Sequence, residues 1–202
     1  MGRYNLAIMT KKIYDSCLLF FILKTLRDIL DIRKESTMFS IVKKLLEAKV
    51  LIKIEKNKYL LKDAKINDFA LANFIYQPSY VSFESALNFY GILSQFPYEV
   101  SSATTKKTTE KVFQGKVFVY THIKKDLFWG YEKKENFLIA LPEKALLDQL
   151  YLSAKGYRRI NLDEYDLERI NVSRLRSYLR KYPQTKQFKK IVKALRRQLS
   201  NL

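Results

Sequence analysis

A single cysteine, Cys17, cannot close an intramolecular disulfide, and with a single histidine, His122, it cannot assemble a zinc site of the Cys/His type. The expected setting is therefore reducing and cytoplasmic. Five glycines, at 2, 91, 115, 130 and 156, are too few and too far apart for a glycine-rich phosphate loop. Long hydrophobic runs are missing as well: the stretch from Cys17 to Leu23 ends at Lys24, well short of the roughly 20 residues that span a bilayer. It has no small-residue cleavage site, so no membrane or secretory address is read in it. Carboxylates are scattered rather than gathered around a Mg²⁺-sized site. The dense acidic run Asp163, Glu164, Asp166 and Glu168 is expected to splay around a helix and to offset Arg158, Arg159 and Arg169. No catalytic residue, metal or cofactor is expected, and the chain is read as a non-enzyme.

What the sequence has in excess is positive charge. Across 202 residues, 38 Lys+Arg stand against 20 Asp+Glu, a formal net charge of +18 at pH 7. A small soluble domain typically carries a net charge of about 2 to 8 in magnitude. Disorder does not account for the excess, because 14 Tyr and 13 Phe can build a core. The charge is also segregated. Residues 1–62 hold 14 basic and 6 acidic side chains, residues 63–149 hold 10 of each, and residues 150–202 hold 14 and 4. From Ser173 onward there are ten Lys/Arg and no acid. Two basic ends flanking a neutral middle fit a protein that lays two surfaces on a phosphate backbone.

In the N-terminal third, Ile22, Leu26, Ile29 and Leu30 recur at the spacing of an amphipathic helix, and the polar run Arg33–Ser36 interrupts it. Met38, Ile41, Val42 and Leu45 form the apolar face of a second helix, with Ser36 or Thr37 as its expected N-cap. Two β-rich stretches, Val50–Ile54 and Tyr59–Leu61, then read as a hairpin turning at Asn57. Helix, turn, helix and hairpin together predict a winged helix-turn-helix over residues 1–62. With its apolar stripe on the core, the second helix turns Ser36, Thr37, Ser40, Lys43, Lys44 and Glu47 outward, its N-terminal members toward base edges and its lysines toward phosphates. The hairpin carries Lys53, Lys56 and Lys58 at or beside its tip, in reach of a DNA backbone. Cys17, in its apolar run, reads as a buried thiol.

The remainder, residues 63–202, is expected to be a mixed α/β domain ending in basic helices, so that the whole is α+β. Ser82 is a candidate N-cap for a helix carrying Phe83, Ala86, Leu87 and Tyr90, stopped at Gly91. Val100–Thr105, Lys116–Ile123, Leu127–Tyr131 and Phe137–Ile139 read as strands. Pro142 opens a further helix at the position where proline is tolerated. Glu143 and Asp148 lie about 140° apart on it and read as structural charges, not as an acid/base pair. Ser82, Glu84 and Ser85 are accounted for by a cap and a first-turn acid, and His122 by packing or a single hydrogen bond.

These segments resemble a known family in order and spacing. Pro78–Gly91 (PSYVSFESALNFYG), the Thr104/Thr105 segment, Tyr120-Thr121-His122-Ile123 and Leu141–Asp148 (LPEKALLD), preceded by the helices and hairpin, are similar to the AbiEi family of antitoxin-like transcriptional regulators. Family members commonly have a glycine in the wing turn, where this chain has Lys56-Asn57-Lys58. The resemblance implies a bacterial or archaeal DNA-binding antitoxin of an abortive-infection (type IV) toxin-antitoxin system active in phage defence. It would bind double-stranded DNA at its own promoter, repress its own operon, and counter a nucleotidyltransferase-like toxin without a stable complex. It is expected to be a monomer in solution and cooperative on DNA.

At the C-terminus, Leu175, Tyr178, Leu179 and Tyr182 form one stripe, Pro183 breaks it, and Phe188, Ile191, Val192, Leu195 and Leu199 form another. Arg174, Arg176, Lys186, Lys189, Lys190, Lys193, Arg196 and Arg197 lie on the polar sides. Three readings of this face are open: a phosphate-gripping surface, a helix on an anionic membrane, or a solvated face. The first is favoured because the N-terminal helices already supply a nucleic-acid rationale, and no membrane partner is expected. Two other functions fit the composition, namely an RNA-binding protein or enzyme on structured RNA, and a module that sequesters a toxin directly.

Overall fold

The computed structural model describes residues 5–199 and is mixed α/β, divided into two compact units, Met1–Asn67 and Asp68–Leu202. The division falls a few residues beyond the boundary expected after residue 62. Residues 1–4 of the expected first domain and 200–202 of the expected basic tail lie outside the described residues.

The first unit runs α1 (Leu6–Asp15), β1 (Phe20–Ile22), α2 (Leu23–Leu30), α3 (Glu35–Glu47), β2 (Leu51–Glu55) and β3 (Lys58–Leu61). The three strands form an antiparallel sheet in the order β1-β3-β2, with Phe21 opposite Tyr59 and Leu51 opposite Leu61. Its core gathers one face of each element: Met9 and Ile13 from α1, Phe21 from β1, Leu26 and Leu30 from α2, and Met38, Ile41, Val42 and Leu45 from α3. Two turns that lack glycine are made by residues that tolerate a left-handed backbone. Asp31 (φ 51°) ends α2, and Asn57 (φ 61°) turns the β2–β3 hairpin.

Several sequence expectations change here. The second expected helix begins earlier than its predicted cap: Lys34 is the N-cap residue, without a side-chain cap bond, and Ser36 and Thr37 lie inside the helix. The cause is Ile32, buried to anchor the connection, with Glu35 placed as a first-turn acid at the positive end of the helix. Ile22 belongs to β1, not to the first expected helix. Cys17 is exposed, in a left-handed turn that follows α1, because Phe21 and not the thiol fills the core.

The second unit runs α4 (Asp68–Ile75), β4 (Ser79–Val81), α5 (Phe83–Phe89), β5 (Val100–Thr104), β6 (Thr109–Phe113), β7 (Lys116–His122), β8 (Tyr131–Lys134), β9 (Phe137–Ala140), α6 (Pro142–Ala154), α7 (Val172–Leu179) and α8 (Lys186–Leu199). Its six-stranded sheet has the order β6-β7-β5-β4-β9-β8. The inner pairs β5·β7 and β4·β9 are parallel, while β4·β5, β6·β7 and β8·β9 are antiparallel. α6 is buried along ten consecutive residues, Glu143–Leu152, and is the spine of the unit. Pro142 occupies its first turn as expected.

The stretch Leu127–Tyr131 is not a strand. A 3-10 turn covers Lys125–Leu127, Gly130 takes a positive φ of 73°, and β8 starts only at Tyr131. The acidic run is not on a helix either. Asn161 and Asp166 accept from the backbone N–H groups of Asp163 and Glu168, and these local bonds hold two 3-10 turns, Leu162–Glu164 and Leu167–Arg169. Arg169 does pair with Asp166 at 2.8 Å, whereas Arg158 is drawn to Glu84 and Glu99.

The inward and outward faces of α3 give a direct check on the first unit. Leu45→Ala should cost about 2–5 kcal/mol in urea unfolding, whereas Ser40→Ala on the exposed face should change stability by less than about 0.5 kcal/mol.

Candidate nucleic-acid interface

The side chains of α3 sort by its helical period. Ser36, Phe39, Ser40, Lys43 and Lys44 are exposed, and Thr37 is half-buried on the flank. Glu47 closes the same face at its C-terminal end and lies 3.9 Å from Lys43. On the hairpin that follows, Lys53 and Lys56 are exposed, but Lys58 is not aimed outward: its ammonium bonds the Glu55 carboxylate at 2.6 Å across the turn and is largely covered. The expected set thus comes together along one helix and the adjacent turn, with Lys58 occupied in holding the hairpin.

Phe39 is the residue that sequence reasoning omitted. It lies between Ser36 and Ser40 and is 47% exposed, because Met38 and Ile41 on either side of it take the core positions. The signal was present in the period: counting from Met38, position 39 is rotated by about 100° out of the apolar stripe.

In the second unit, Lys186, Lys189, Lys190, Lys193, Arg196 and Arg197 are all exposed along α8, opposite the buried Phe188, Val192 and Leu195. Thr185 starts this helix by accepting from the Phe188 N–H at 3.2 Å. Arg176 is exposed on α7 beside a groove of about 540 Å³ floored by Leu175, Leu179 and Leu195. Arg174 is placed otherwise. Its guanidinium reaches the buried Glu143 carboxylate at 3.4 Å, and Glu143 also accepts the Asn171 N–H at 2.9 Å where α7 begins. Glu143 therefore ties α7 to α6, in keeping with a structural charge.

The most strongly built polar cluster lies inside this unit. Asp148 on α6 is fully buried, and four donors reach its carboxylate. Tyr80 and Ser82 donate to Oδ2 at 3.0 and 2.9 Å, Tyr182 donates to Oδ1 at 2.7 Å, and the Lys144 ammonium pairs with Oδ1. A carboxylate offers about four acceptor positions, so Asp148 is saturated. The remaining faces of the Lys144 ammonium lie 5.2–5.5 Å from the ring centres of Tyr80, Trp129 and Tyr182. Ser82 does precede α5, but its hydroxyl makes no cap bond because it is turned onto Asp148.

Electrostatics follow the burial. Desolvation and the Asp148 charge push the Tyr80 and Tyr182 phenols well above their ordinary range, and burial pulls Lys144 below its own. Tyr165, half-buried near Glu84, is pushed up to about 12. With both charges at zero exposure and every acceptor filled, the cluster holds the fold and presents nothing to a ligand. His122 is exposed at the end of β7 and bonds the Lys106 carbonyl through Nδ1 at 2.9 Å. Among the described residues, no three His, Cys, Asp or Glu side chains are placed to hold a metal ion, and no helix is long and apolar enough to cross a membrane.

Compared with known proteins, the chain matches no family profile and no curated protein sequence.

The buried cluster makes two measurable claims. Asp148→Ala should cost about 3–5 kcal/mol by stranding the Lys144 charge, and Tyr182→Phe about 1–3 kcal/mol, both read from urea midpoints. The pH dependence follows from the phenols. A group whose folded pKa is raised keeps its full stabilisation below its unfolded value, here 10.0, and loses it as pH rises through the folded value. Lys144, whose pKa is lowered, has the opposite sign, and its burial penalty is relieved as pH rises toward 10.5. Since Tyr59, Tyr80, Tyr90, Tyr165 and Tyr182 are all raised against that one lysine, stability should fall above pH 10. Absorbance from these five phenolates should appear cooperatively with unfolding, and the fall should be shallower in Tyr182→Phe.

Proposed function

We propose that the chain is a cytoplasmic, sequence-specific DNA-binding repressor of the AbiEi antitoxin type. The observation that carries the reading is α3, whose apolar side is buried while Ser36, Ser40, Lys43 and Lys44 stand exposed, followed by a hairpin whose turn exposes Lys56. The element order α1, β1, α2, α3, β2, β3 with its three-stranded sheet supports a winged helix-turn-helix, with α2 and α3 as the helix pair and β2–β3 as the wing. A helix fits the major groove, where a short serine hydroxyl can meet a base edge while flanking lysines meet phosphates.

The cations of α8 add sequence-independent contacts from the second unit. Arg174 and Lys58 contribute least, because each is already held by a carboxylate of its own unit. The antitoxin half of the proposal rests on the ordered motifs of the middle segment. In that reading the protein represses its own operon and counters a nucleotidyltransferase-like toxin without a stable complex. It is a monomer in solution and binds DNA cooperatively.

Salt dependence is the first test. If six to ten phosphates are neutralised, affinity for its own promoter should fall roughly 10³- to 10⁵-fold between 50 and 200 mM salt. A flat titration, or displacement from promoter DNA by equimolar tRNA, would overturn the proposal. The division of labour is the second test. Ser40→Ala should relax sequence preference by about 1–3 kcal/mol, while Lys190→Ala should weaken promoter and random duplex alike.

A further inference from the structure

Resting on the DNA-binding reading, we infer that Phe39 is a specificity-determining residue whose ring contacts the C5-methyl group of a thymine in the major groove. The position is unusual for its surroundings. Ser36, Phe39, Ser40 and Lys43 fall within an arc of about 100° on α3, and all four are exposed. Phe39 is the one large apolar side chain among them, 47% exposed. The core does not require it, since Met38, Ile41, Val42 and Leu45 already complete the inward stripe.

The flanking groups fix what such a ring can meet. Ser36 and Ser40 lie about 60° and 100° around the helix from Phe39 in the same direction, their hydroxyls suited to base edges, and Lys43 lies one turn along, in reach of a phosphate. Beside these polar groups, the apolar feature that a duplex presents in its major groove is the thymine methyl, and phenylalanine is one of the side chains that contacts it. Adenine, guanine and cytosine present only donors and acceptors there, which would leave the ring opposite unpaired polar atoms. A thymine is therefore preferred at one position read by α3.

The test uses the full-length chain and duplexes selected from a random-sequence pool by the protein itself. Each thymine of the selected site is replaced in turn by deoxyuridine, which removes only the methyl group. The expected result is a loss of about fourfold in affinity at one position, abolished in Phe39→Ala, which should bind the two duplexes equally. Phe39→Leu should keep part of the discrimination, and unchanged thermal melting would confirm that neither variant disturbs the core. If no duplex is selected above random sequence, the DNA-binding reading fails and the inference with it. If a site is selected but every thymine tolerates deoxyuridine, or Phe39→Ala still discriminates, the inference fails and the DNA-binding reading stands.

Discussion

The second unit depends on one carboxylate. Asp148 takes hydrogen bonds from Tyr80 in the middle of β4 and Ser82 just after it, from Lys144 one turn back on α6, and from Tyr182 between α7 and α8. Burying a lone ion pair is usually unfavourable unless its remaining valences are met. Here they are met by two phenols, a hydroxyl and three aromatic faces. Sheet, spine helix and C-terminal helices therefore converge on a point where removing any one partner leaves a buried charge short of a bond. Gly130 belongs to the same arrangement. A Cβ there would lie 3.1 Å from the Lys144 side chain, and the φ of 73° is one that L side chains rarely adopt, so a substitution would strain the turn before β8.

Several acids of the middle segment sit in ion pairs. Asp148 pairs with Lys144 and Asp68 with Lys116 inside the segment, while Glu84 and Glu143 pair with Arg158 and Arg174 of the basic C-terminal part. The cations of α3 and α8 are treated differently. They stand on exposed faces, where Lys43 lies 3.9 Å from Glu47. α8 alone carries +6 of the net +18, whereas the two lysines of α3 are balanced in number by Glu35 and Glu47. Such localised positive potential is what a polyanion responds to over distances near the Debye length.

Legibility in the sequence followed the strength of the local pattern. α3, the β2–β3 hairpin and α6 were legible because four apolar positions, an Asn turn and a first-turn proline each point the same way. α1 was not, because only Met9 and Ile13 are buried among its ten residues. β1 was hidden in an apolar run with no alternation, and β6, an edge strand burying no residue fully, resembled a polar loop. Phe39 escaped because an apolar residue in a helix reads as core unless its angle is counted. The donors to Asp148 lie 34, 66 and 68 residues away, and no local period encodes a contact of that range. Lys144, one turn away, was the sole partner within reach of sequence spacing.

Tyr182 gives the buried carboxylate a place in time as well as in space. A ribosome adding about 5–20 residues per second needs roughly 2–7 s to pass from Asp148 to Tyr182. Throughout that interval the nascent α6 carries an ammonium and a carboxylate whose final donor has not been synthesised. The carboxylate receives its last donor only once the chain has entered the basic α7–α8 region. The helices that carry the densest positive charge are therefore also the last stitch of the domain, and no polypeptide ending before Tyr182 can complete it.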